Sequence, residues 1–350
     1  MNTKMKHLFL IAFISFFGLL ATAQQAPFMV SNADGTVSAP YADLTTAYNA
    51  ANAGDYIYMP AGDFTINVWI TKEIHLIGAG FDINASITTG ITRISGDIII
   101  QDAASGSSFE GFYLTGNFRN YGNLYNITLS YLNFNRTNIF YNNYGWTWNN
   151  CLVKNCVVRE YLYFGDGVNY LGENNTIMNS IVNSFHSMNH STIKNCIVSV
   201  SNSTNYCFWA IKNSVIKNNI IGGQGLSSDA GNPSDNVLFL NNSTSSAAGE
   251  LSNGKPMCTE VNNNYGITTG DTFIAASAFT YDQTFDYHIK TSSTAHNGSD
   301  NGTDIGIYGG STPWKEGAIP SNPHIFFKNI SNTTDGSGNL PVQIKVSTQY

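Results

Sequence analysis

A five-residue pattern that recurs through the middle of the chain limits the possible folds more than any other feature. It reads apolar, any residue, Asn, small residue, apolar, and it returns every 16 to 24 residues. Such variable periods near twenty are typical of coils whose turns accept insertions. Two weaker copies surround Gly111 and Tyr131. The four clear copies span residues 153–157, 177–181, 193–197 and 216–220.

The pattern predicts a parallel β-solenoid, because each copy supplies a short strand followed by a bend. Apolar residues point inwards, and Asn occupies the bend because it tolerates the left-handed backbone conformation. Coils stacked about 4.8 Å apart bring equivalent amides together, which predicts an asparagine ladder. A single coil cannot bury its apolar face, so the array is cooperative. The expected fold class is all-β.

The repeat register also bears on the cysteines. Cys156 and Cys196 share one position but lie two coils apart, with Ser180 between them. Their expected separation of about 9.6 Å exceeds the reach of a disulfide. An odd number cannot pair completely, and the spacing lacks the clusters of zinc sites, so we expect no metal site here. The five cysteines are Cys151, Cys156, Cys196, Cys207 and Cys258.

Composition supports a β protein and restricts its partners. The 350 residues include 44 asparagines, whereas only 11% are charged, and asparagine disfavours helix interiors. The formal net charge is −7, so no broad basic field exists and nucleic acid is not expected as a partner. One local exception is a partial basic stripe, since Lys154, Lys194 and Lys217 share the position before the bend, with Met178 interrupting. Such a stripe usually discourages edge pairing and occasionally attracts an acidic polymer.

Residues 1–23 have the pattern of a secretory signal peptide. Lys4 and Lys6 precede an apolar run over 8–20, and residues 21–23 fit the small-x-small cleavage rule. The run is shorter than the roughly 20 residues that span a bilayer. We therefore expect a secreted protein, extracellular or at the cell surface, with no membrane span after signal removal.

The N-terminal part of the mature chain predicts a helix over about 42–53. Leu44, Ala47, Tyr48 and Ala51 follow helical spacing and form one apolar face. A solenoid exposes apolar side chains and unpaired backbone at its open end. We expect this helix to cover that end.

Segments near both ends carry a family resemblance. Residues 53–62, Ala-Gly-Asp-Tyr-Ile-Tyr-Met-Pro-Ala-Gly, followed by Leu-Ile-Gly-Ala-Gly at 76–80, resemble the opening coils of the pectin-lyase-like superfamily, and 286–290 and 302–310 resemble the closing coil of its secreted bacterial members. The resemblance implies a right-handed parallel β-helix over 24–320. The alternating residues of 321–350 predict a C-terminal β-strand cap or tail.

The family resemblance implies several possible activities, among them polysaccharide lyase, hydrolase, epimerase, adhesin and inert scaffold. The family's lyases use an Arg or Lys base and often calcium, which needs several oxygen ligands. Calcium is therefore implied by the resemblance alone, and no cofactor is evident from the residues. The acids between positions 103 and 222 do not form the expected aspartate cluster. They are Glu110, Glu160, Asp166 and Glu173.

The candidate site lies on the coils of 118–173, where aromatic residues and arginines concentrate. Most of these rings belong to the core, but Tyr144, Trp146 and Trp148 follow a polar insertion, and we predict that they stack on sugar rings.

Charged residues on the same coils supply the catalytic candidates Arg136, Arg159 and Glu160. Arg136 and Glu160 both lie five residues after the centre of their repeats, so they should be neighbours on adjacent coils. They form either an exposed ion pair or, with Arg159, a clamp for a sugar carboxylate. Asp166 and Glu173 are predicted to line the same groove.

Two functions follow from these residues. The first is a monomeric, secreted β-helix protein that binds extracellular or cell-surface polysaccharide, including acidic polymers. The alternative is a polysaccharide lyase or epimerase acting on uronate-containing glycan, with Arg136 or Arg159 as base or charge neutraliser. The missing acidic cluster favours the first, and the local arginines and aromatic rings support the second.

Overall fold

The computed structural model describes residues 28–32, 34–37, 40–82, 90–139, 145–165, 169–200, 206–229, 231, 233–316, 319 and 324–347. The predicted signal peptide therefore lies outside the described residues. The described chain opens with strand β1 (Met29–Ser31) and helix α1 (Leu44–Ala50). Asp43 caps α1 by accepting a hydrogen bond from the Thr46 N–H.

Three stacks of parallel strands form the body of the molecule. Stack A comprises β2 (Asp55–Tyr58), β4 (Ile74–Ile77), β7 (Ser108–Glu110), β11 (Thr128–Ser130), β15 (Leu152–Lys154), β18 (Thr176–Met178), β20 (Thr192–Lys194), the end of β22 (Tyr206–Lys217), β25 (Asp235–Leu240) and β27 (Thr259–Val261). Stack B comprises β3 (Gly62–Thr65), β5 (Thr92–Ser95), β8 (Tyr113–Leu114), β12 (Asn133–Phe134), the starts of β16 (Val157–Tyr163) and β19 (Ile181–Asn189), β21 (Ile197–Ser199), β23 (Ile220–Gly222), β26 (Ser243–Thr244) and β28 (Asn264–Tyr265). Stack C comprises β6 (Ile98–Gln101), β9 (Phe118–Tyr121), β13 (Thr137–Ile139), the later parts of β16 and β19, the start of β22, and β24 (Gln224–Leu226).

The remaining elements are short. Strands β10 (Leu124–Tyr125) and β14 (Trp148–Asn149) pair in parallel, and β17 (Gly172–Glu173) pairs with β19. A 3-10 turn covers Asp102–Ala104. Beyond the stacks lie helix α2 (Thr269–Thr272), the antiparallel pair β29 (Phe273–Ala275) and β30 (Asp286–Ile289), and the antiparallel pair β31 (His324–Ile330) and β32 (Val342–Ser347).

This register confirms the predicted fold, an all-β parallel β-helix with an N-terminal helix and a C-terminal strand element. The predicted apolar face of α1 is buried at Leu44, Ala47 and Tyr48, and these residues belong to the main core. Strand β1 pairs antiparallel with β2 and thereby covers the edge of the first coil. Among the described residues, no helix is long and apolar enough to cross a membrane.

The predicted repeat register is also confirmed. Phe109, Leu129, Val153, Ile177, Ile193 and Ile216 pair in succession along stack A. The bend residue has a left-handed backbone in every copy, with φ from 48° at Asn179 to 73° at Gly111. Two further bends, at Asn241 and Asn262, continue the column. The pattern missed them because Ser243 replaces its last apolar residue at the first of these bends, and Glu260 and Asn264 replace both of its apolar residues at the second.

The asparagine ladder lies one residue later than predicted, and the prediction for the bend residue is wrong. Asn219 Nδ2 donates to Asn242 Oδ1 over 3.0 Å, and Asn242 Nδ2 donates to Asn263 Oδ1 over 3.0 Å. These side chains face the interior, where backbone N–H groups of the preceding coil need acceptors. The left-handed bend instead directs the amide of Asn179 outwards, to the carbonyls of Ile307 and Gly309.

The cysteines are unpaired, which confirms the prediction from the register that Cys156 and Cys196 do not form a disulfide. All five are free, and four are buried. Cys156 and Cys196 occupy interior ladder positions of their coils, with Ser180 between them. Burial raises the pKa of the Cys151, Cys156 and Cys196 thiols to about 12. They are small core residues, and protonated thiols of this kind are chemically inert.

Residues 267–316, which we name the C-terminal segment, pack against the outer face of stack B. Ile181, Ile197 and Ile220 point outwards from that stack, yet each is at most 2% exposed. They form a second apolar core with residues of the C-terminal segment, including Phe273 and Ile305. The parallel β-helix therefore has one side face that the chain itself covers.

Candidate functional site

The outer face of stack C carries aromatic side chains on consecutive coils. Strand pairing places Tyr163 beside His186 and His186 beside Trp209. The ring centroids lie 4.3 Å apart in the first pair and 5.7 Å in the second, where the planes differ by 5°. We name Tyr163, His186 and Trp209 the aromatic row. Each ring is only partly buried, so the row is in contact with solvent.

The histidine of this row is neutral. Burial lowers the pKa of His186 to about 3, and its Nε2 lies 3.1 Å from Ser184 Oγ. An uncharged imidazole packs between Tyr163 and Trp209 as a third aromatic ring. Burial also raises the pKa of the Tyr163 hydroxyl, so the row carries polar atoms without charge.

A second aromatic group, the aromatic platform, lies toward the ends of earlier stack C strands. It consists of Trp69, Tyr121 and Trp146, which come from three separate coils. The centroids of Trp69 and Tyr121 are 5.2 Å apart, and those of Tyr121 and Trp146 are 4.9 Å apart. Trp69 is 39% exposed and Tyr121 36% exposed. Large aromatic side chains with this exposure provide flat, partly apolar surface to a ligand.

A polar cluster lies where stack B turns into stack C. Arg136 Nη1 and Glu160 Oε2 are 3.2 Å apart, which confirms the prediction that these residues are neighbours on adjacent coils. Arg136 also donates to the Tyr161 hydroxyl over 3.0 Å, and Asn135 Nδ2 donates to Glu160 Oε1 over 3.0 Å. Both charged side chains remain about one third exposed. The cluster is therefore a set of fixed donors and acceptors beside the aromatic row, since Tyr161 contacts Tyr163.

Arg159 has different partners, and the structure does not join it to Arg136 in a clamp. Its Nη2 donates to the carbonyl oxygens of Leu114 and Thr115 over 2.9 and 3.2 Å, and its Nη1 donates to Asn133. The guanidinium also lies over the Tyr113 ring, 4.7 Å from its centroid. Burial lowers the pKa of Arg159, but three acceptors favour the charged form. Arg159 is therefore a residue whose hydrogen bonds connect separate coils.

The predicted contact residues divide into three groups. Trp146 is part of the aromatic platform. Trp148 is 1% exposed and belongs to the main core, so its predicted contact with sugar is wrong. Trp148 lies on the short strand β14 and packs in the core, which the sequence of the insertion did not reveal. Tyr144 and Asp166 lie outside the described residues.

Glu173 lies at another corner of the coil, where β17 leads back to stack A. Its carboxylate accepts hydrogen bonds from Asn189 Nδ2 over 2.7 Å and pairs with His190 Nδ1 at 3.0 Å. Asn189 continues into a surface ladder, since Asn213 donates to Asn189 and Asn236 donates to Asn213. The prediction that Glu173 shares a groove with Arg136 is therefore not supported by its contacts.

Sequence reasoning missed Trp69, His186 and Trp209. Trp69 precedes the recognised repeats, and its link to Tyr121 depends on the length of the intervening turns. Among the described residues, no group of three or more His, Cys, Asp or Glu side chains is placed to hold a metal ion. The signal that could have found His186 and Trp209 is that they follow Tyr163 at equivalent outward positions of successive coils.

Comparisons with known proteins identify no family for this chain. Neither a scan against protein-family models nor a search of curated proteins gave a match. A search of solved structures found the crystal structure of pectate lyase Pel9A, at 14% sequence identity and a TM-score of 0.30, covering 83% of this chain and 94% of that chain. At this level of similarity, the description of the fold rests on the strand register of the chain itself.

Proposed function

We propose that this protein binds extracellular or cell-surface polysaccharide through the outer face of stack C. The observation that carries the proposal is the aromatic platform of Trp69, Tyr121 and Trp146, three neighbouring rings from separate coils on a long side face. Sugar rings have apolar faces and polar edges, and they stack on such rings while their hydroxyls remain hydrated. A platform assembled from several coils suits a polymer that lies along the β-helix.

The polar cluster supports binding of an acidic polymer. Arg136, Glu160 and Asn135 present donors and an acceptor that are already oriented by hydrogen bonds, so little side-chain entropy is lost when a ligand binds. Arg136 supplies a positive charge for a uronate carboxylate. The aromatic row beside it provides further ring surface.

A polysaccharide lyase or epimerase acting on uronate-containing glycan is the second candidate. The observation that favours it is the contact of Arg136 with both Glu160 and the Tyr161 hydroxyl, because carboxylate and phenol groups are capable of proton transfer. In that case Arg136 neutralises the uronate carboxylate.

We further infer that the protein is exported and acts as a monomer. The basic start, apolar run and small-x-small site of residues 1–23 support export. The N-terminal helix and the strand β1 cover the first coil, which supports a molecule that does not stack end to end.

The test measures binding of the mature chain, residues 24–350, to pectate, alginate, glycosaminoglycans and neutral glucans by isothermal titration calorimetry. We expect one polymer class to bind and the double variant Trp69→Ala/Trp146→Ala to bind at least about tenfold more weakly, as loss of aromatic stacking predicts. Tyr58→Ala is the matched control, because Tyr58 is an equally exposed ring on stack A. No binding across the panel, or unchanged affinity of the double variant, contradicts the proposal.

The same polymers distinguish the second candidate. Lyase activity produces unsaturated uronates, which are followed by their ultraviolet absorbance with and without calcium. A rise that is lost in Arg136→Gln would establish the lyase. Binding without any rise favours the non-catalytic function.

A further inference from the structure

A small polar pocket lies between the bends after stack A and the C-terminal segment. Its volume is about 110 Å³, well above the roughly 10–15 Å³ that a cavity needs to hold one water molecule. The pocket therefore has room for more than one water-sized group. Its lining includes Lys194, Asn195, Lys217 and Asn218 from the β-helix and Asp300 and Gly310 from the C-terminal segment.

The charges around the pocket do not balance. Lys217 Nζ pairs with Asp300 Oδ2 at 2.7 Å, and Asp300 Oδ1 accepts a hydrogen bond from Asn218 Nδ2 over 2.7 Å. Lys194 lines the same pocket, and no carboxylate of the described chain lies within ion-pair distance of its ammonium group. The lining thus has two ammonium groups and one carboxylate, in a protein whose overall charge is negative.

Besides the Lys194 ammonium group, Asn195 supplies a hydrogen-bond donor that has no acceptor. Its side chain is only 4% exposed, and its Nδ2 has no hydrogen-bond partner among the residues that the structure describes. The equivalent bend residues of the neighbouring coils are satisfied, because Asn179 donates to Ile307 and Gly309, and Asn218 donates to Asp300. A buried donor without an acceptor is destabilising. Something that accepts hydrogen bonds is expected beside Asn195.

The two glycines opposite Asn195 keep its amide close to the C-terminal segment. A Cβ atom on Gly309 or Gly310 would lie 2.7 or 2.9 Å from Asn195 Nδ2, which is closer than real contacts allow. The backbone of Gly310 is also left-handed, with φ of 77°. Both features hold the segment at the distance that forms the pocket.

We propose that this pocket binds a small oxyanion, held by the Lys194 ammonium and the Asn195 amide. A water molecule would accept the hydrogen bond of Asn195, but it would not compensate the charge of Lys194. A carboxylate, sulfate or phosphate group does both and fits the volume. The ligand is either a free inorganic anion or one acidic group of a glycan.

The site is separate from the proposed polysaccharide surface. Lys194 and Asn195 belong to the corner between stacks A and B, whereas the aromatic platform lies on stack C. A ligand that binds only the folded chain stabilises it, so binding of the anion should raise the melting temperature. Lys194, one of the three lysines of the partial basic stripe, thereby has a specific role in binding the anion.

The test titrates the mature chain with sodium sulfate against sodium chloride at constant ionic strength and follows the melting temperature and the heat of binding. We expect saturable sulfate binding and a raised melting temperature. Lys194→Met should weaken binding at least about tenfold, since it removes the charge-assisted bond. Methionine suits this position, because Met178 occupies it on the preceding coil.

Lys154→Met is the matched control, because Lys154 has the same position in its coil but does not line the pocket. It should bind sulfate like the wild-type protein. No saturable effect of sulfate beyond chloride, or equal affinity in Lys194→Met, overturns the proposal.

Competition then identifies the source of the anion. Galacturonate that displaces sulfate indicates an acidic sugar, whereas displacement by phosphate alone indicates a free inorganic anion. The variant Trp69→Ala/Trp146→Ala should retain sulfate binding in both cases. The anion site and the polysaccharide surface are thus tested independently.

Discussion

The outer faces of stacks B and C are built on the same coils, yet they differ in what covers them. On stack B, Ile181, Ile197 and Ile220 are buried under the C-terminal segment. On stack C, the outward residues Tyr163, His186 and Trp209 remain partly exposed. Backbone geometry does not explain the difference, because both faces are parallel strands in register.

Side-chain chemistry explains it instead. An isoleucine has no polar atom, and covering it gains about 25 cal/mol for each Å² of apolar surface removed from water. Tyrosine, histidine and tryptophan combine an apolar body with a polar edge and tolerate a position at the water interface. On a parallel β-helix, the residues that point outwards therefore decide which face becomes an internal interface and which is left for a ligand.

The largest loss of stability should come from a substitution on the covered face of stack B. Ile197→Ala removes a fully buried side chain between stack B and the C-terminal segment, and we expect the free energy of unfolding to fall by about 2–5 kcal/mol. Trp209→Ala on stack C should cost less, because part of its ring surface is already in water in the folded protein. Urea unfolding followed by circular dichroism measures both. Equal losses would show that the two faces do not differ as described.

The loss of stability that His186 causes at low pH should be intermediate in size. The pKa of His186 is about 3 in the folded protein and about 6.5 when unfolded, so the unfolded state takes up the proton first. Stability is therefore full above about pH 6.5 and is lost as the pH falls toward 3, by about 1–3 kcal/mol.

Two variants test this assignment. In His186→Phe the stability lost between pH 6.5 and 4 should be smaller than in the wild-type protein by that amount. Tyr163→Phe, in the same row, should keep the wild-type pH profile. An identical profile for His186→Phe would mean that another group controls the acid response.

The smallest effect concerns the polar cluster. Arg136→Gln breaks a partly exposed ion pair with Glu160, so we expect a loss of less than about 1 kcal/mol that becomes smaller as salt is added. The effect of Ile197→Ala should not depend on salt in this way. A loss above about 2 kcal/mol in Arg136→Gln would identify the pair as a structural element and weaken its assignment to ligand binding.

Much of the fold was predictable because its causes are local. The alternation of apolar residues around each Asn bend gave the register of stack A, and the same counting placed Arg136 beside Glu160. Helix α1 followed from the spacing of its apolar face. The ladder was assigned one residue too early, because the sequence does not show that the bend residue turns its amide outwards.

The candidate site was less predictable. Trp146 and Trp148 are two residues apart in a polar insertion, yet only Trp146 reaches the surface. Its partners Trp69 and Tyr121 are distant in sequence, and turn lengths between coils decide their meeting. Glu173 is near the other candidates in sequence, but it lies at another corner of the coil.

The sequence by itself determined the coil, because Asn at a left-handed bend and apolar residues on either side are properties of a few consecutive residues. It also determined that Cys156 and Cys196 stay apart, since two coils separate them. Only the tertiary structure decided which outward side chains meet, which face the C-terminal segment covers, and that Lys194 and Asn195 line a pocket with Asp300. Those contacts join coils and segments far apart in the chain, and no local pattern records their distances.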